Sequence, residues 1–363
     1  MHLTRRDVIG GGLALLGASR HAFPQEEARL SRIARSAGLF YGTALNSGHL
    51  ADTEYTGAVR HEADFIVPEW EMKWGTIEKV RDSRQYGSAQ KIVDFANANR
   101  LQVRGHTLVW HRNIPSWAVE ALNNKEYGVM QRHVRSTVSN FGMVQDWDVV
   151  NEVIEPAHGR ADNLRESPFL TALGPGYIGE AFRSARYAAP GARLVLNDFG
   201  FEYELETHRK RRRALIRLLE RLKATSVPID AVGIQAHLVT RDLKFDPVAY
   251  TGFLKQIADL GLKIIITELD IQDADAPADI EERDRLLADH IARYLNAALS
   301  EPAVIGVLTW GLSDRYTWIN KDPSVRRSDG LPSRPLPLDE EMERKPIWNA
   351  IADALRNAPE RSS

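Results

Sequence analysis

Eight short apolar runs, each separated from the next by a stretch of helical periodicity, restrict this chain to an α/β fold with a parallel sheet. The runs span residues 39–45, 65–67, 102–110, 144–150, 193–197, 231–235, 263–267 and 304–310. Helical spacing occupies 91–99, 128–141, 178–188, 208–222, 247–260 and 280–299 between them. Ala28, Leu30, Ile33, Ala34 and Ala37 give a helix before the first run, and 346–355 gives one after the last. Eight such units close naturally as a single (β/α)8 TIM barrel. An open doubly wound sheet is the weaker alternative, because no Gly-rich phosphate turn follows the first run. The catalytic domain is expected over 25–360, with no Ser/Pro-rich linker to a second module. The stretch 322–338, rich in Pro, Ser and Arg, reads as a flap beside the barrel mouth.

Residues 1–24 stand apart from this pattern. Arg5-Arg6 precedes an uncharged stretch from Val8 to Ala18 that contains Gly10-Gly11-Gly12. A positive segment before a short apolar one is an export signal, too short for a stable membrane span. Thr4-Arg5-Arg6 resembles the twin-arginine signal, with Val8 where Phe is usual and Gly10 where Lys is frequent. An exported protein, periplasmic or secreted and free of the membrane once the signal is removed, is the expectation.

Composition excludes several functions. There is no cysteine, so disulfides, zinc fingers and thiol nucleophiles are out, although export is not. A net charge of −2 favours neither nucleic acid nor an anionic membrane. The basic run Arg209-Lys210-Arg211-Arg212-Arg213 shares its helix with Leu215, Ile216, Leu218 and Leu219, and reads as a solvated helix face.

The chemistry is carried by the ends of the apolar runs. Ile264-Ile265-Ile266-Thr267-Glu268-Leu269-Asp270 is a β-branched strand that stops in two carboxylates. Two residues apart, Glu268 and Asp270 share a side of a regular strand. Trp147-Asp148-Val149-Val150-Asn151-Glu152 is a second apolar strand ending in a carboxylate. Burying a carboxylate without partners is costly, so strands ending this way usually lead to a site. Two such glutamates are what glycoside cleavage needs. Other runs agree: the second ends in Glu69-Trp70-Glu71-Met72-Lys73, the third holds His106 and Trp110-His111, and the fifth ends in Asn197-Asp198. The sixth holds Gln235-Ala236-His237, and the eighth holds Trp310 with Trp318 beyond. In a barrel all of these fall on the C-terminal rim, where active sites lie.

This set resembles glycoside hydrolase family 10, the retaining endo-β-1,4-xylanases, from about Leu39 to about Trp348. The specific matches are 147–152 and 267–270, supported by 106–111 and by Trp310-Gly311. The resemblance implies Glu152 as acid/base and Glu268 as nucleophile. It implies substrate contacts from Glu69, Lys73, His106, Trp110, Asn151, Gln235, His237, Trp310 and Trp318, with Asp270 supporting His237 and Glu268. Asn151 would hold the 2-hydroxyl of the sugar being cleaved. Because neighbours on a strand face opposite ways, Asn151 and Glu152 both reach substrate only through a bulge or at the strand's end. Retaining enzymes place the two carboxyls about 5–5.5 Å apart, one protonated and one ionised. Two departures bear on the non-reducing side: Trp70 stands where the family has Asn, and Phe199 where Tyr is frequent. Asn113 in place of Gln is milder.

The expected function is internal cleavage of β-1,4-xylan with retention, by a monomer whose partner is xylan or a xylo-oligosaccharide, without metal or other cofactor. The rivals are the same chemistry on another β-glycan and a catalytically silent carbohydrate-binding barrel. A metal-dependent barrel hydrolase is disfavoured, because no His-x-His pair ends an early strand.

Overall fold

The repeated strand–helix unit closes on itself in the computed structural model, which describes residues 28–241 and 243–361. The expected export signal lies outside the described residues. The strands are β1 (Phe40–Leu45), β2 (Phe65–Pro68), β3 (Gln102–Gly105), β4 (Val109–Trp110), β5 (Asp146–Asn151), β6 (Arg193–Asp198), β7 (Ala231–Ile234), β8 (His237–Val239), β9 (Lys263–Gln272) and β10 (Val304–Thr309). All of their pairings are parallel. β10 pairs with both β9 and β1, the latter from Phe40 opposite Gly306 to Thr43 opposite Thr309, and this closes the barrel. β3 with β4, and β7 with β8, are the two halves of single barrel strands, so eight barrel positions are filled, as the periodicity predicts. The run at 102–110 was expected as one strand. It breaks at 106–108, where His106 and Thr107 bond to Asp148 instead of continuing the ladder.

The helices form the outer layer: α1 (Leu30–Ser36), α2 (Thr53–Glu62), α3 (Trp74–Ile77), α4 (Gly87–Asn99), α5 (Ser116–Asn123), α6 (Val129–Asn140), α7 (Pro168–Leu173), α8 (Tyr177–Ala188), α9 (Glu206–Ala224), α10 (Pro247–Asp259), α11 (Ile280–Leu299) and α12 (Pro346–Asn357). Their starts are written locally. Asp52, Asp246 and Asp279 accept backbone N–H bonds at the caps of α2, α10 and α11, and Pro opens α10 and α12. Among the described residues, no helix is long and apolar enough to cross a membrane.

β9 shows why its sequence is β-branched. Ile264 and Ile266 pack outward beneath the helices, and Ile265 packs inward with Ala44, Phe65, Val67, Val195, Ala231 and Leu308. Both faces are buried, so alternation of polarity disappears. The segment 322–338 is strapped down rather than free. Arg327 donates to the carbonyls of Asp273 (2.6 Å) and Ala276 (3.0 Å), and Arg334 makes two 2.8 Å bonds to Asp284 of α11.

The basic run on α9 corrects the reading of a solvated face. Arg211 and Arg212 are buried. Arg211 meets Asp198 at 2.8 Å and the Phe199 carbonyl at 2.7 Å; Arg212 bonds the Phe201 carbonyl at 2.6 Å and Glu204 at 2.7 Å. Charge on a helix reads as surface until an adjoining loop supplies buried carbonyls and carboxylates.

Candidate active site

Both glutamates are aimed by irregularities in their strands. On β9, Ile264 and Ile266 face outward, yet Leu269 and Ile271 do as well, so the alternation changes phase between them. Ile266 lies opposite Val307 and Leu269 opposite Thr309, which leaves one extra residue on β9. That bulge turns Glu268 and Asp270 toward the barrel axis. A second register shift falls on β5 between Asp148 and Val150, and Glu152 follows at φ +60°. Left-handed backbone is uncommon for Glu, and here it lets Asn151 and Glu152 both turn to the cleft. The bulge or strand end that their adjacency required is present in both forms.

The two carboxylates belong to one polar network. Gln235 donates to Glu152 Oε1 at 3.3 Å, and Asn151 donates to the same oxygen at 3.3 Å. Asn197 donates to Asn151 Oδ1 at 2.8 Å and to Glu268 Oε1 at 2.7 Å. Thr267 fixes that amide by donating to Asn197 Oδ1 at 2.7 Å. On the other side of Glu268, His237 Nε2 lies 3.3 Å from Oε2 while its Nδ1 lies 2.7 Å from Asp270 Oδ1. Trp318 Nε1 donates to Asp270 Oδ2 at 2.7 Å.

These partners set the charges. Burial opposes ionisation of Glu268, but the His237 bond, the nearby imidazoles of His106 and His237 and the Asn197 bond outweigh it, so its pKa falls below the usual carboxylate value. Burial likewise opposes the His237 cation, and Asp270 and Glu268 together raise it well above an ordinary histidine. Glu268 is thus an ionised carboxylate in a buried place, held there by a cation.

His106 Nδ1 sits 2.9 Å from Asp148 Oδ2, and Trp310 packs edge-on against its ring at 5.3 Å. Asp148 is in turn gripped by Arg104, which also bonds Asp146, all of them buried. Glu69 accepts from Asn46 at 3.1 Å, and burial raises its pKa. Lys73 is buried rather than a solvated partner of Glu69. Burial lowers it to about 8, against the pull of Glu268 and Glu152. Its ammonium lies 4.5 Å from the centre of the Trp110 ring. Glu152, Gln235, His237 and Trp318 line one cleft with His111, Phe199 and Tyr203. Of the predicted site residues, Glu152, Gln235, His237 and Trp318 line this cleft, and Asn151, Glu268 and Asp270 are tied to them by hydrogen bonds. Asn197, Asp148 and Asn46 join them as residues that hold the site together. Of these only Asn197 stood out in the sequence as a strand-end residue, and which side chains it would grip was not legible there.

A closed parallel barrel with an ionised and an amide-bonded glutamate on its C-terminal rim defines a glycoside hydrolase. The chain belongs to glycosyl hydrolase family 10, whose model matches residues 29–354. It is 31% identical over 349 residues to an endo-1,4-beta-xylanase B of Thermotoga neapolitana, covering 94% of this chain and 96% of that one. It is 30% identical over 336 residues to an endo-1,4-beta-xylanase of Agaricus bisporus, covering 91% and 95%. Among solved structures, native xylanase 10B of Thermotoga maritima matches with a TM-score of 0.80 at 32% identity, over 90% of this chain and 98% of that one.

Proposed function

We propose that this chain hydrolyses internal β-1,4-xylosidic bonds with retention, with Glu268 as nucleophile and Glu152 as acid/base. The observation that supports this most is the asymmetry between the two glutamates. Glu268 is bonded to His237 and Asn197 and stays charged, whereas Glu152 is met by two neutral amides, Asn151 and Gln235. In the first step Glu268 attacks the anomeric carbon as Glu152 gives a proton to the departing oxygen, leaving a covalent glycosyl-enzyme. Esterification removes the negative charge of Glu268. Glu152, now an anion, takes a proton from water, which attacks the anomeric carbon and returns the β-anomer. Asn151, pinned by Asn197, is placed to bond the 2-hydroxyl of the sugar undergoing cleavage. Glu69, Lys73, His106, Trp110, Trp310 and Trp318 supply the remaining contacts on the glycone side.

The xylan preference is supported by the relatives, which bear the xylanase name, and by the solved xylanase 10B of Thermotoga petrophila, described in complex with xylobiose, at 31% identity and a TM-score of 0.78. The test is the product profile on linear xylo-oligosaccharides with the first anomer read by NMR. Internal cuts giving the β-anomer are expected. Cleavage of glucan but not xylan oligomers overturns the substrate, and an α-anomer overturns the mechanism. Residues 1–24 act as a twin-arginine-type export signal in this proposal. Replacing Arg5-Arg6 by Lys-Lys in a fusion of that segment to a reporter is expected to abolish export, and unchanged export overturns it.

A further inference from the structure

Trp70 contributes little to holding the fold together. Its side chain is 52% exposed, although Glu71, Met72, Lys73 and Trp74, which follow it, are all buried. The turn beneath it is fixed on both sides. Trp70 O accepts from Lys73 N at 3.1 Å, Trp70 N donates to Glu71 Oε2 at 3.2 Å, and Glu71 Oε1 accepts from Ser47 N at 2.6 Å. This closure brings side chains 70 and 73 together, with the Lys73 ammonium 4.0 Å from the centre of the Trp70 ring. The same ammonium is 4.5 Å from Trp110. All four nearby carboxylates, Glu268, Glu152, Glu69 and Glu71, favour the cation, and Trp70 lies against it. One face of the indole is occupied by the cation. Half of the side chain is exposed, and an exposed indole held against a cation beside the site is a surface for the apolar C–H face of a ring.

We propose that Trp70 is a specificity-determining platform, stacking a neutral pyranose unit that lies one position beyond the sugar held by Glu69 and Lys73, and so favouring long, undecorated glycan segments. The inference rests on the xylanase reading of the site. An indole and an amide differ here in kind: an amide at position 70 recognises hydroxyls one at a time, whereas an indole accepts a whole ring face and rejects substituents projecting from it.

The experiment measures kcat/KM on linear xylo-oligosaccharides of two to six units for the wild type, Trp70→Ala, Trp70→Asn and Trp70→Phe, each checked by thermal melting. The ratio of kcat/KM for the hexamer to that for the shortest cleaved oligomer is expected to fall about tenfold in Trp70→Ala and Trp70→Asn, mainly through KM, and to recover largely in Trp70→Phe. A ratio changed by less than about twofold, or an equal loss at every length, overturns the platform. So does a gain on long oligomers, which would make Trp70 a wall. If Trp70→Ala does not fold, Trp70→Asn and Trp70→Phe give the same decision. A wild type that cleaves no xylo-oligomer overturns the xylanase reading on which the platform rests, which separates that failure from a failure of the three variants to change the ratio.

Discussion

Glu268 and Glu152 are the same side chain made different by their neighbours. Replacing Glu268 with Gln removes the proposed nucleophile, and kcat on xylo-oligomers is expected to drop by on the order of 10⁴ or more, with binding retained. Glu152→Ala is expected to cost about 10²–10⁴ on natural substrate and far less on an aryl xyloside whose leaving group needs no proton; steady-state kinetics on both substrates checks this. His237 allows a sharper test. Its raised pKa means that its contribution to stability is present below the ordinary histidine value and is lost as pH rises through the higher folded value. Glu268 behaves oppositely: its contribution is present above the ordinary glutamate value and is lost as pH falls through its depressed folded value. Replacing His237 with Asn removes the cation and the donor that depress Glu268. The acid limb of the kcat/KM profile is therefore expected to move to higher pH, and an unmoved limb would show that His237 does not tune the nucleophile.

At the scale of single elements, the two bulged strands and the helix behind them do the positioning. Without its extra residue, β9 would continue the phase of Ile264 and Ile266 and send Glu268 outward beneath the helices. The strand end on β5 is braced from outside. Asp198 Oδ2 accepts Ile154 N at 2.9 Å, two residues past Glu152, and Asp198 Oδ1 is held by Arg211 of α9 at 2.8 Å. Arg211→Met would leave the wholly buried Asp198 without its cation. It is expected to cost about 3–5 kcal/mol in urea unfolding, far above an exposed arginine of the same helix such as Arg213. The helices and strands themselves were legible, since α11 falls at 280–299 as its periodicity predicts. The irregularity at the end of β5 was legible in the adjacency of Asn151 and Glu152; the bulge on β9 was not, because a strand buried on both faces has no polar face whose change of phase could be read.

For the whole molecule, closure is the decisive event. β1 meets β10 across more than 260 residues of chain, and α12 returns beside α1 and α11 to bury Ile347, Trp348, Ile351 and Leu355 over that seam. Nearby, Lys345 and Asp314 form a buried 2.7 Å ion pair. Truncation after Arg344 is expected to abolish cooperative unfolding by circular dichroism, because it exposes the seam and strands the Asp314 charge. What the sequence alone determined was the number and order of the strand–helix units, because each is a local pattern of apolar spacing and capping. It also pointed to the two glutamates and to most of the polar residues that surround them, because a carboxylate or histidine at the end of an apolar strand has few structural uses. Only the tertiary structure decided which way those side chains point, which amides and imidazoles meet them, and that Arg211 and Arg212 lie inside. Register, the bulge on β9 and buried charge pairing are properties of strands and loops brought together from distant parts of the chain, and no local pattern encodes them.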